Sequence, residues 1–76
     1  MFLLTPTVQV VSYADEKRLE DAKEEVRNNP DDADAHYHLG IIYCGLDDRG
    51  SAMEQYKILK KLDTEKANEL FNKIYK

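Results

Sequence analysis

The chain has 76 residues, 34% of them charged and 42% apolar, with a net charge of −4 at neutral pH. That length allows one small domain, and the balance suits a helical protein rather than a disordered or membrane-spanning one. Acids and bases are interspersed with no basic stripe for phosphates, which sets nucleic acid aside as a partner.

The single cysteine, Cys44, leaves no internal disulfide, so folding needs no oxidising compartment. A cytoplasmic setting is expected ahead of an exported one.

Residues 1–11, MFLLTPTVQVV, form an apolar arm. The arm lacks the basic start and long apolar core of a secretory signal, and it is too short to span a membrane. Pro6 and the β-branched Val8, Val10 and Val11 disfavour a helix, so an extended arm is expected. Its side chains need cover, either on the helices that follow or on a second copy of the chain, unless the arm is a tail left by truncation.

Residues 12–76 read as a single all-α domain with helices over about 13–28, 33–46, 49–62 and 65–75. Ser12 with Asp15 marks the first start, and Leu19, Ala22 and Val26 give a narrow apolar stripe on a helix otherwise made of charge. Lys17 and Asp21 are spaced for a weak i,i+4 pair, and Asn28-Asn29-Pro30 closes the helix.

Residues 33–62 carry apolar side chains at helical spacing on either side of one polar break, Asp47-Asp48-Arg49-Gly50, and so read as an antiparallel helical hairpin. Gly40 and Ala52 lack bulk and are expected to let the two backbones draw together, with Leu39, Tyr43 and Tyr56 filling the space alongside. Asp63-Thr64 then caps a last helix whose stripe is Ala67, Leu70, Phe71 and Ile74, against Lys66, Glu69, Asn72 and Lys73.

The series His36, Leu39, Gly40, Tyr43, Ala52, Tyr56 and Thr64 resembles the signature of the tetratricopeptide repeat, which has a period of about 34 residues. His36 stands in the family's tryptophan position and Thr64 in its closing-proline position. Pro30 falls about one period before Thr64. The resemblance covers residues 33–66 and implies a hairpin of this type, flanked by a degenerate N-terminal helix and a C-terminal capping helix.

In tetratricopeptide arrays the first helix of each hairpin lines a concave peptide-binding face. Carried onto this sequence, the resemblance implies a partner-binding face of Asp34, Tyr37, His38, Ile41, Cys44 and Gly45. Chaperone-binding members place Lys and Asn there to clamp a carboxylate. Here those positions are Tyr37 and Ile41, so an acidic tail is not the expected ligand. The plain alternative is that Tyr37 and Ile41 are covered by the N-terminal helix or by another protomer.

No catalytic, cofactor or metal site is expected. His36 and His38 are two apart on one helix and point opposite ways, and Cys44 has no further ligand beside it. His36 reads as a packing residue, His38 as a surface residue and Cys44 as a small, partly buried apolar one. No nucleophile sits beside a base, and there is no Gly-rich phosphate loop.

The expected function is therefore a non-catalytic interaction module that binds a peptide or partner protein. One and a half repeats bury too little alone, so a homo-oligomer is expected as well. The alternative is a structural C-terminal fragment of a larger repeat protein, or a self-assembly subunit.

Overall fold

The computed structural model describes residues 13–75, with the side chains of Tyr13 and Ala14 left aside. The arm over residues 1–11 and the Ser12 start signal lie outside the described residues. Four helices follow in order, α1 Tyr13–Asn28, α2 Ala33–Gly45, α3 Arg49–Leu62 and α4 Thr64–Ile74, with no strand among the described residues. The fold is all-α.

Each of the last three helices begins at an aspartate whose carboxylate accepts a free first-turn N–H. Asp32 accepts from Asp34 at 2.9 Å, Asp48 from Ser51 at 3.1 Å and Asp63 from Lys66 at 3.2 Å. Asp63 also receives the C-terminal end of α3 through its N–H to Leu59 O at 2.7 Å. One residue thus joins two helices, and it makes Thr64 the first residue of α4, one position before the expected start.

Helix α2 stops at Gly45, one position before the expected end. Asp47 N–H donates to Cys44 O at 3.0 Å and Asp48 N–H to Tyr43 O at 2.9 Å, a paired closure that satisfies the last carbonyls. The closure puts Asp47 at φ 63°, in the left-handed region usually given to glycine, and the chain reverses there into α3.

Helix α2 is central: it packs against all three other helices, whereas among the described residues α1 packs on α2 alone. Ala22, fully covered, and the half-buried Leu19 and Val26 are the side of α1 turned inward. Its charged side faces water, with Lys17 and Asp21 3.7 Å apart. The main core runs through Ala52, Leu59, Ala67, Leu70 and Ile74, with Leu59 and Leu70 completely enclosed.

The close approach at Gly40 involves a neighbour that the expectation did not include. A Cβ added there would lie 2.6 Å from Leu70 Cδ2, 3.0 Å from Cδ1 and 3.3 Å from Cγ, so the side chain nearest to the glycine's space is that of Leu70 on α4. The single-residue link at Asp63 folds α4 back across α2, and the large Leu70 needs the room that Gly40 leaves. Ala52 is itself fully buried, in the core beside Leu70.

Candidate partner-binding face

The expected face of α2 divides into two halves. Asp34, Tyr37 and Cys44 turn toward α4, where Lys66 Nζ sits 3.0 Å from Asp34 Oδ1 and 5.6 Å from the centre of the Tyr37 ring. Tyr37, Ile41 and Cys44 also pack against the core cluster. Tyr37 and Cys44 are half-buried against the chain's own last helix rather than under the N-terminal helix, while Asp34, with its side chain 78% exposed, stays at the surface.

The electrostatics of this half follow from that packing. Burial, then the neighbouring Glu69 carboxylate that hydrogen-bonds it, pushes the Tyr37 phenol above its ordinary value, with Lys66 pulling the other way. The ion pair with Asp34 raises the Lys66 ammonium. Burial raises the Cys44 thiol despite Lys73 nearby, which makes it a slow nucleophile at neutral pH.

The other half stays open. His38, Ile41 and Gly45 line a groove of about 330 Å³ with Ile42 and Leu46 of the same segment and with Asp15 and Arg18 of α1. A further hollow of about 190 Å³ extends it along the seam between Ile42, His38 and α1's Arg18, Asp21, Ala22 and Glu25. Isoleucines form the floor and α1 supplies a charged rim. His38 and Gly45 are exposed, and Ile41 and Ile42 are half-buried.

The signature residues hold this face in place. Ala35, His36 and Leu39 are buried at the N-terminal end of α2, and Tyr43 and Tyr56 pack at the core margin. His36, 4% exposed, is more than packing: its Nε2 donates to the Pro30 carbonyl and its Nδ1 pairs with the Gln55 side-chain amide, both at 2.7 Å. The amide can offer its NH₂ to a neutral ring or its oxygen to a charged one, so the contact persists in either form. One buried ring therefore ties the α1–α2 turn to α3.

Gln55, Lys66 and Glu69 escaped the sequence reading. Lys66 and Glu69 sit three apart on the flank of the α4 stripe, which spacing alone classes as solvated. Only the return of α4 over α2 brings them to Asp34 and Tyr37. A second missed feature is a row of rings in which Tyr56 and Phe71 are 5.2 Å apart and Phe71 and Tyr75 4.9 Å apart.

Among the described residues no cluster of His, Cys, Asp or Glu could hold a metal ion, and no helix is long and apolar enough to cross a membrane. Comparison with protein-family models, curated proteins and solved structures finds no match to this chain.

Proposed function

We propose that the chain is a non-catalytic protein–protein interaction module of tetratricopeptide type. It takes a peptide or partner protein along α2 and also associates with itself. The observation that supports this reading is the groove between α1 and α2, where three of the six expected face residues, His38, Ile41 and Gly45, meet over an apolar floor open to solvent. Binding there would remove isoleucine surface from water, while the charged rim selects the partner's charge.

A structural role, as the C-terminal fragment of a larger repeat protein or a self-assembly subunit, is the second reading. It is favoured by the exposed rings of Phe71 on α4 and Tyr75 at its end, on a helix that packs on α2 and α3 and that no other described helix covers.

Affinity capture from a native extract with the immobilised full chain tests the module. A Cβ at Gly45 meets nothing within 4 Å, so Gly45→Arg fills the groove without crowding the fold. The wild-type chain should retain a protein that Gly45→Arg loses at unchanged helicity. Capture of nothing above a blank, or of the same proteins by both chains, contradicts the reading.

A further inference from the structure

The aromatic row lies on the outer seam of α3 and α4. Phe71 is 39% and Tyr75 54% exposed, far more than core residues of their size, and Lys60 Nζ rests 5.6 Å from the Tyr56 ring centre. Aromatic side chains flanked by a cation and left in water are the residues that dominate binding energy when they enter a pocket.

The pocket that suits them is on the same molecule but out of reach. Ile41, Ile42 and Leu46 form an apolar floor, and the α1 rim carries Asp15, Asp21 and Glu25 against Arg18 and against Lys17, which pairs with Asp21. Charge is distributed accordingly along the chain. Residues 15–34 hold nine acids and four bases, whereas residues 57–73 hold five bases and three acids. Within one chain α1 meets neither α3 nor α4. A row on the α3–α4 seam can therefore fill an α1–α2 groove only on another copy.

We propose that the Tyr56–Phe71–Tyr75 row of one copy seats in the α1–α2 groove of a second copy, with Lys60 facing the acidic rim. The inference rests on the interaction-module reading and names the partner as the chain itself. The two surfaces differ, so the contact is head-to-tail: a bound pair keeps one free groove and one free row, and assembly continues until a ring closes or the supply ends. Opposite charge on the two surfaces orients the encounter and makes it salt-sensitive.

The test uses the purified full chain in sedimentation runs from micromolar to millimolar concentration at low and high salt, with two blocked variants. Gly45→Arg blocks the groove. Gly45 has a negative φ and open space around it, so the fold accepts the change. Phe71→Glu with Tyr75→Glu blocks the row. If that pair lowers the helical signal, Tyr75→Glu alone serves, since Tyr75 lies beyond the last residue of α4.

The wild-type mass should climb with concentration and fall with salt. Each blocked variant should bind its own kind about 30-fold or more weaker. An equal mixture of the two should form a discrete dimer, because one keeps the row and the other the groove.

A wild-type chain that stays monomeric throughout overturns the proposal, as does assembly that survives both blocks. Assembly that is lost in the row variant but survives in Gly45→Arg also overturns it, since that marks a row-to-row contact. The module reading falls separately, by the capture experiment: a monomeric chain that still retains a protein lost by Gly45→Arg keeps the module and removes only the self-contact.

Discussion

Tyr37 shows how single side chains decide which part of α2 remains available. Its phenol is drawn under α4 by the Glu69 carboxylate, and its ring lies beneath Lys66, which is itself held by Asp34. Burial and Glu69 raise the phenol above 10.0, and Asp34 raises the Lys66 ammonium above 10.5. For a group raised in the folded state, the stabilising contribution is complete below the unfolded value and is lost as pH climbs through the folded one.

Thermal stability should therefore hold up to about pH 9 and decline above about pH 10, on account of both groups. Tyr37→Phe removes the phenol and should flatten part of that decline when melts are followed by circular dichroism across the alkaline range. An equal decline in the Phe variant would mean that Tyr37 does not carry the contact. Replacing Tyr37 by alanine is a poor probe of partner binding, because the ring packs on the core.

At the scale of elements, Gly40 and Leu70 set how closely α2 and α4 lie. Leu70 is fully enclosed among Ala52, Leu59, Ala67 and Ile74, so it has little room to yield to a new methyl group 2.6 Å away. Gly40→Ala should cost about 1–2 kcal/mol, as overpacking outweighs the gain in helix propensity. Leu70→Ala should cost about 2–5 kcal/mol through the cavity it leaves. Combined, the two should cost less than their sum by about 1 kcal/mol or more, since the new methyl group enters the vacated space. Denaturant unfolding of the four chains measures this, and strict additivity would mean that residues 40 and 70 do not meet.

The helices were legible because each apolar stripe repeats at helical spacing and each break is polar: Pro30 and its asparagines, the run from Asp47 to Gly50, and Asp63. The ends of α2 and α4 moved by one residue for a local reason. The closing hydrogen bonds at Asp47 and Asp48 and the cap at Asp63 are set by backbone geometry that composition does not reveal. A small residue at position 40 announced a close approach but not its partner. Leu70 lies thirty residues further on, and no local pattern couples the two. Asp34 and Tyr37 of the anticipated face are engaged within the chain for the same reason, because Lys66 and Glu69 reach α2 only once α4 folds back.

Across the whole molecule, α2 is shared by two neighbours with opposite effects. Helix α4 packs over Tyr37 and Cys44 and pairs with the exposed Asp34, which uses that surface for the stability a chain of this size needs. Helix α1 touches α2 only along a narrow stripe and leaves His38, Ile42 and Gly45 in an open groove with an acidic rim. The exposed rings of Phe71 and Tyr75 lie on a seam that α1 does not reach.

The most direct test of this divided face is an NMR concentration series on the isotopically labelled full chain, reading each backbone amide. Shifts that grow with concentration should gather at His38, Ile42 and Gly45 and at Phe71 and Tyr75, while Asp34, Tyr37 and Cys44 stay still. Movement centred on Asp34, Tyr37 and Cys44, or no movement at the groove at any concentration, would contradict it.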